Sequence, residues 1–263
     1  MKLFLLGALV LVVALVWFAN RSVFFPLKYP QGEWGVQAAL GAQDIGLVGW
    51  DGVNLHGWWV EPPTPRVVTL FFHGNAGNVT HRAAALAALR QAGSAVLLMD
   101  YRGYGKSQGT PVENNLYKDA ETAYDLLITR GYDPNRLVIH GESLGTAVAV
   151  DLATKRRCAG IVLEAPFPSV RAVARDVLPV IGPLLVWGFD TKKKIAGVQK
   201  PLLIIHGDSD DIIRQPLGRE VFDAAPGPKE FWSVPGAGHN NLVVAAGSSY
   251  VRKLSEFYAR VAR

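Results

Sequence analysis

Residues 137–153, LVIHGESLGTAVAVDLA, place a serine between two glycines where an apolar run changes to a helical pattern. The run that ends at His140 is partly β-branched, as expected of a buried strand. Ser143 therefore follows the carboxyl end of a predicted strand, which is where ligands bind in open α/β sheets. Gly141 and Gly145 lack a Cβ atom, so they permit a tight turn and close packing of helix on strand. The pattern predicts a turn that lifts the serine hydroxyl out above the sheet.

A serine hydroxyl is a weak nucleophile until a base removes its proton, so this turn requires a histidine and an acid in later loops. The candidate loops are LLIIHGDSDDI (202–212) and FWSVPGAGHNN (231–241). The second loop offers His239 as the base. The first offers Asp208, Asp210 and Asp211. We favour Asp210, because Asp208 lies too close to the strand end and Asp211 begins the next apolar turn.

The order of the elements predicts the fold class. Strands are expected at 66–74, 94–103, 135–141, 159–166, 201–211 and 229–239, after two strands around the turn Asp51-Gly52. Helices are expected at 81–93, at 113–131, from Ser143 and at about 248–261. This alternation predicts an α/β fold with a mostly parallel, eight-stranded sheet covered by helices on both faces, and the first hairpin can add antiparallel strands at one edge. The domain should span 42–263, with a connector at 21–41 and a small apolar insertion at about 167–198. We expect Trp187 and Phe189 of the insertion to be core residues rather than substrate contacts.

The N-terminus differs from the rest of the chain. Residues 3–20, LFLLGALVLVVALVWFAN, carry no charge and lie between Lys2 and Arg21. At about 1.5 Å per residue this run just spans a hydrocarbon core of roughly 30 Å. The alternative is a cleaved signal peptide, but WFANRS offers no convincing cleavage site. We expect residues 1–20 to be an uncleaved single-pass anchor, in a bacterial inner membrane, with the side of the catalytic domain left open.

Composition excludes several other classes of protein. The formal net charge of +5 is mild and scattered, which indicates no nucleic-acid partner and suits an anionic membrane surface. The single cysteine, Cys158, cannot form an intrachain disulfide or a cysteine-based metal site. The remaining histidines, His56, His73, His81, His140 and His206, show no metal-ligand spacing and are interpreted as structural or solvent-facing. We expect neither metal nor cofactor.

Six stretches carry a resemblance to a known family. They are FFHGNAGN (71–78), DYRGYGKSQGTP (100–111), LYKDAETAYDLL (116–127), GESLG (141–145), LIIHGDSDDII (203–213) and GAGHNN (236–241). In this order they resemble the α/β-hydrolases, and within them the membrane-associated branch that includes the α/β-hydrolase domain-containing proteins 12, 13 and 17. The resemblance covers about residues 66–241.

The resemblance implies a role for each site residue. Ser143 would be the nucleophile, His239 the base, and Asp210 the acid that holds the imidazole in the required tautomer. The backbone N–H groups of Asn75 and Leu144 would form the oxyanion hole. The loop Arg102–Gly105 would be structural or pocket-shaping.

The expected reaction is hydrolysis of a carboxylic ester or thioester through an acyl-serine, with a lipid or acylated molecule as the candidate substrate. Two alternatives stay open. One is a serine peptidase of the same fold, although the chain has no large gating domain. The other is a non-catalytic anchored binding protein. A dehalogenase or epoxide hydrolase of this fold would carry aspartate at position 143, so both are disfavoured.

Overall fold

A computed structural model of the chain describes residues 14–16 and 18–262. Residues 14–16 and 18–21 are helical. Most of the predicted anchor, residues 3–20, lies outside the described residues. Across the described part of the chain, no helix has both the length and the apolar character that crossing a membrane would need.

Ten strands occur in the described residues. They are β1 (Phe25–Pro26), β2 (Gln43–Val48), β3 (Asn54–Val60), β4 (Val67–Phe72), β5 (Ala76–Gly77), β6 (Ser94–Asp100), β7 (Leu137–Glu142), β8 (Gly160–Glu164), β9 (Leu202–Gly207) and β10 (Lys229–Val234). Eight of them form one sheet in the order β10-β9-β8-β7-β4-β6-β3-β2. Only β2 with β3 and β3 with β6 are antiparallel. The predicted parallel sheet with an antiparallel hairpin at one edge is therefore confirmed.

Helices connect the strands and cover both faces of the sheet. They are α1 (Val36–Leu40), α2 (Ala83–Gln91), α3 (Glu113–Thr129), α4 (Leu144–Lys155), α5 (Val170–Val177), α6 (Gly182–Leu185), α7 (Thr191–Ile195), α8 (Gln215–Ala224), α9 (Leu242–Ala246) and α10 (Ser248–Val261). Helices α1, α8 and α9 were not predicted from the sequence. The helix predicted at about 248–261 is found with those bounds. The insertion at 167–198 consists of the three short helices α5, α6 and α7.

Two apolar cores lie on opposite faces of the sheet. One includes Leu116 of α3, Val148 of α4 and Leu217 of α8. The other includes Leu86 of α2 and Leu254 of α10. Strands such as β6 are buried along their whole length because both of their faces are covered. This explains why their sequences are continuously apolar rather than alternating.

Of the two insertion residues predicted to lie in the core, one is buried and the other is exposed. Phe189 is buried, as predicted for a core residue of the insertion. Trp187, predicted to be core as well, is 56% exposed, so that prediction was wrong. The reason is local: after α6 ends at Leu185, the side chains of Val186 and Phe189 are buried, whereas Trp187 between them faces outward.

Candidate active site

The turn at Ser143, between β7 and α4, has a strained backbone conformation that neighbouring residues stabilise. Ser143 has φ 51° and ψ −116°, a conformation that residues other than glycine rarely adopt. Its N–H donates to the carbonyl of Glu164 at 2.8 Å. A Cβ on Gly141 would lie 2.3 Å from the oxygen of Gly145, and one on Gly145 would lie 2.0 Å from the oxygen of Phe72. Both glycines are thus required for the helix to start this close to the sheet.

The structure brings the three predicted side chains of the relay together. Ser143 Oγ lies 3.0 Å from His239 Nε2. His239 Nδ1 lies 2.8 Å from Asp210 Oδ2. Asp210 follows β9 and His239 follows β10, which are adjacent parallel strands. Their carboxyl ends therefore lie at the same edge of the sheet as Ser143.

Geometry distinguishes Asp210 from the two other candidate acids. Asp208 is exposed, and its Oδ1 accepts from the backbone N–H of Gly236 at 2.7 Å. Asp211 is exposed as well. Of the three carboxylates, Asp210 is the one hydrogen-bonded to His239.

Asp210 is fixed in position and in charge. Its Oδ1 accepts from the backbone N–H groups of Ile212 at 3.0 Å and Ile213 at 2.8 Å. Burial by itself would raise the pKa of Asp210, but hydrogen bonds from His206, His239 and Ile213 hold that pKa well below its usual range. The carboxylate is therefore ionised at neutral pH and can stabilise an imidazolium at His239.

The loop after β4 lies beside the serine. Asn75 and Leu144, whose backbone N–H groups were predicted to bind the oxyanion, line the same cavity as Ser143 and His239. Leu144 is the first residue of α4, where N–H groups have no acceptor within the helix. These placements are compatible with the predicted oxyanion hole.

His73 orients one of these two peptide groups. Its Nδ1 lies 2.7 Å from the carbonyl oxygen of Gly74, which can only accept, so Nδ1 carries a proton. That carbonyl belongs to the same peptide unit as the N–H of Asn75. Burial lowers the pKa of His73 to about 3, with the nearby positive charge of Arg82 adding to the effect, so the ring is neutral.

Three further groups hold this loop through contacts that were not predicted from the sequence. Tyr101 donates its hydroxyl to the oxygen of His73 at 2.8 Å. Tyr104 donates to the oxygen of Asn75 at 2.7 Å, and the N–H of Phe25 donates to the same oxygen at 3.0 Å. The loop Arg102–Gly105, expected to be structural or pocket-shaping, thus includes a direct contact to the candidate oxyanion loop.

Two cavities flank the relay. A cavity of about 280 Å³ is lined largely by apolar side chains of the insertion and of the loop after Asp210: Phe167, Val170, Val173, Ile212 and Ile213. A cavity of about 460 Å³ on the other side includes polar groups: His81, Glu164, Asn240 and Asn241. Arg82 and Glu142 line both, and Arg82 Nε donates to Glu142 Oε2 at 2.8 Å. This ion pair was not predicted, although Glu142 lies within the GESLG motif.

The remaining histidines have local partners. His56 Nδ1 lies 3.1 Å from Asp100, and His140 Nε2 lies 2.7 Å from Glu164. His206 Nε2 donates to the oxygen of Ile213 at 2.8 Å, which places it behind the acid. His81 is exposed, as expected.

Comparison with known proteins identifies the family. A family model described as serine aminopeptidase, S33, matches residues 63–193. The chain is 36% identical over 260 residues to an uncharacterized protein of Mycobacterium tuberculosis, covering 95% of this chain and 91% of that protein. It is 34% identical over 211 residues to alpha/beta hydrolase domain-containing protein 17B of Xenopus laevis, covering 75% of this chain and 68% of that protein. The chain belongs to the α/β-hydrolase family.

The fold of this α/β-hydrolase is shared with solved structures. An esterase of Pyrococcus furiosus aligns with a TM-score of 0.76 at 17% sequence identity, covering 92% of this chain and 99% of that one. At this level of identity the likeness concerns the architecture alone. The resemblance to the domain-containing protein 17 branch, expected from the six motifs, is confirmed by the match to protein 17B.

Proposed function

We propose that this α/β-hydrolase is a membrane-anchored serine hydrolase that cleaves a carboxylic ester or thioester through an acyl-serine on Ser143. The observation that carries the proposal is the continuous relay from Ser143 Oγ through His239 to an ionised Asp210, at 3.0 and 2.8 Å. A serine next to a histidine that is itself oriented by an acid is the arrangement that activates a hydroxyl.

Acylation uses each of these groups once. His239 Nε2 takes the proton as Ser143 Oγ bonds to the acyl carbon, and the carbonyl oxygen becomes an oxyanion. The N–H groups of Asn75 and Leu144 donate to that oxyanion, each contributing about 3 kcal/mol at the transition state. The imidazolium then returns its proton to the leaving oxygen or sulfur as the bond from the acyl carbon breaks.

Deacylation repeats the sequence with water. His239 removes a proton from a water molecule, which attacks the acyl carbon of the ester on Ser143. Collapse of the second oxyanion breaks the bond to Oγ, and His239 returns the proton to Ser143. The products are a carboxylic acid and free enzyme. No step requires a cofactor.

The anchor is supported by the sequence of residues 3–20, which is uncharged and long enough to span a bilayer. A lipid or acylated substrate fits that placement and the apolar cavity beside Ser143. Membrane fractionation of the full chain against a variant lacking residues 1–20 tests the anchor. Recovery of the full chain in the soluble fraction would refute it.

The activity is tested by labelling the full chain with a fluorophosphonate, which reacts only with an activated serine. Labelling should vanish in Ser143→Ala and persist in Ser209→Ala, a matched change at an exposed serine close to the acid. Hydrolysis of p-nitrophenyl acetate should fall by about 10⁶-fold in Ser143→Ala. Absence of labelling in well-folded wild-type protein would refute the proposal and favour a binding protein.

A serine peptidase is the second candidate, because the matching family model is described as a serine aminopeptidase. The same relay would serve, with an amine as the leaving group. Aminoacyl p-nitroanilides distinguish the two: an ester hydrolase should turn over p-nitrophenyl butyrate far faster than any of them. Faster cleavage of the anilides would establish the peptidase.

A further inference from the structure

The relay lies between two cavities of different character. The cavity of about 460 Å³, which we name the polar cavity, is lined by His239, Asn240, Asn241 and Glu164 among others. The cavity of about 280 Å³ is lined by Ser143 and also by His239. Because His239 borders both cavities, a leaving group that takes its proton from this ring can extend into the polar cavity. The groups exposed there can therefore act on the leaving half of the substrate.

One of these groups, the side chain of Glu164, is held rigidly at the end of β8. The hydroxyl of Tyr250 donates to Oε1 of Glu164, and His140 Nε2 lies 2.7 Å from the same oxygen. Burial raises the pKa of Tyr250 well above its usual value, so its hydroxyl stays protonated and can donate. The backbone oxygen of Glu164 accepts from the N–H of Ser143 at 2.8 Å. Glu164 is thus fixed next to the turn that carries the candidate nucleophile.

The second oxygen of this carboxylate is left for a ligand. Both bonds to the Glu164 side chain use Oε1, and no residue that the structure describes donates to Oε2. The side chain is only 5% exposed, and it lines the polar cavity. A carboxylate oxygen that is largely removed from water is stabilised by a hydrogen-bond donor, and the polar cavity is the route by which a donor can reach it.

The charge of Glu164 distinguishes it from the other acid of the polar cavity. Glu142 is paired with Arg82, whose Nε donates to Glu142 Oε2 at 2.8 Å. Within the described part of the chain, no lysine or arginine forms an ion pair with Glu164. An acceptor without a compensating cation favours a leaving group that carries a donor, and it disfavours one that is hydrocarbon alone or negatively charged.

We propose that Glu164 determines specificity for the leaving half of the substrate, with Oε2 accepting a hydrogen bond from a donor on that half. This inference rests on the proposed function and adds no covalent step to it. It assigns a substrate class, namely esters or thioesters whose leaving half carries a hydrogen-bond donor close to the scissile oxygen or sulfur. Two sources can supply that donor: the hydroxyl of a polyol ester, or the amide N–H of an amide-bearing thiol.

Wild-type enzyme tests the inference with two matched pairs of substrates. In the first pair, 2-hydroxyethyl butyrate carries a hydroxyl where propyl butyrate carries a methyl group. In the second pair, S-butyryl-N-acetylcysteamine carries an amide that S-pentyl thiobutyrate lacks. The readout is kcat/KM, which reports the acylation step in which the leaving half departs, divided by the rate constant for alkaline hydrolysis of the same compound.

We expect the donor-bearing member of at least one pair to be favoured by about tenfold or more, as for a hydrogen bond to a charged group. A preference in the first pair identifies the hydroxyl as the source, and one in the second identifies the amide N–H. Turnover without a preference in either pair would overturn the inference while the proposed function stands. Failure of fluorophosphonate labelling, together with no turnover of any substrate, would instead refute the proposed function.

Glu164→Gln reverses the hydrogen-bonding character of the free position. The amide oxygen must take the place of Oε1, because the hydroxyl of Tyr250 donates there, so the NH₂ group takes the place of Oε2. The preference for the donor-bearing substrate should fall by about tenfold or more. Hydrolysis of 2-methoxyethyl butyrate, whose ether oxygen can only accept, should rise relative to that of 2-hydroxyethyl butyrate.

A purely structural role for Glu164 predicts a different result, since a loosened fold would lower the rates for all three butyrate esters alike. Equal ratios in Glu164→Gln and wild type would therefore overturn the inference. Glu220→Gln, at an exposed glutamate of α8, is the matched control and should leave every ratio within about twofold. The wild-type comparison of the substrate pairs does not depend on the folding of either variant.

Discussion

Replacement of Asp210 by asparagine tests the relay most directly, because the structure fixes how the new side chain must lie. Oδ1 of Asp210 accepts from the N–H groups of Ile212 and Ile213. In Asp210→Asn the amide oxygen must take that place, since an NH₂ group there would face two donors. The NH₂ group is then turned toward His239 Nδ1, which lies 2.8 Å from Oδ2 in the wild type.

This orientation reverses the tautomer of the base. Nδ1 of His239 must accept from the amide, so the ring proton moves to Nε2, which lies 3.0 Å from Ser143 Oγ. A protonated Nε2 cannot remove the serine proton. The corresponding change in a serine protease lowers kcat by about 10⁴-fold, and we expect a loss of the same order here. This corresponds to about 5 kcal/mol of transition-state free energy.

Stability should change with a defined pH dependence. Because the pKa of Asp210 is depressed in the folded state, its charged form contributes stability above the unfolded pKa of about 4. That contribution is lost as pH falls through the lower, folded value. Asp210→Asn should therefore melt below the wild type at neutral pH, and the two melting temperatures should converge as the pH falls below about 4.

The assay is steady-state hydrolysis of p-nitrophenyl butyrate at a constant pH of about 8. Asp211→Asn, an exposed neighbour, is the matched control and should stay within about twofold of wild type. A loss of less than tenfold in a folded Asp210→Asn protein, or a larger loss in Asp211→Asn, would refute the reasoning and move the acid elsewhere.

Three further experiments have outcomes that follow from the packing and hydrogen bonds of single residues. Gly145→Ala places a Cβ 2.0 Å from a backbone oxygen and should lower the free energy of unfolding by about 3 kcal/mol or more, measured as a lower denaturation midpoint. In Gly46→Ala the added Cβ meets nothing within 4 Å, so the midpoint should change little. Arg82→Gln removes the ion-pair partner of Glu142 and a 3.2 Å hydrogen bond to the oxygen of Ala76, and should lower kcat roughly 5- to 30-fold. Arg90→Gln, at a distant arginine that donates to a carbonyl, should leave kcat unchanged. Cys158 is buried, and burial raises the pKa of its thiol to about 11. It should therefore react with Ellman's reagent at about pH 8 only after unfolding. Rapid reaction of the native protein would contradict the burial of Cys158.

Sequence patterns predicted the elements whose signals are local. Ser143 lies at a strand end bracketed by two glycines, and the close contacts at Gly141 and Gly145 show why no larger residue can stand there. Helix α8 was missed even though Pro216 lies in its first turn and Leu217 and Val221 are four residues apart. That spacing is typical of an amphipathic helix. The helix has only ten residues and follows directly after the loop that carries the acid, so its residues were interpreted as part of that loop.

The contacts that hold the oxyanion loop could not be predicted in the same way, because they join distant parts of the chain. Strand β1 is two residues long and exists through its pairing with β5, with Phe25 opposite Ala76. No periodicity can indicate a strand of that length.

The position of β1 shows that residues 21–41, interpreted from the sequence as a connector, also contact the loop after β4. Residues 21–41 lie before the region matched by the family model, yet the N–H of Phe25 and the hydroxyl of Tyr104 donate to the same oxygen of Asn75. Two donors on one carbonyl fix the peptide that follows the candidate oxyanion donor, while the ring of His73 fixes the peptide that contains it. The connector that follows the predicted anchor therefore supports the loop that carries Asn75, the candidate oxyanion donor.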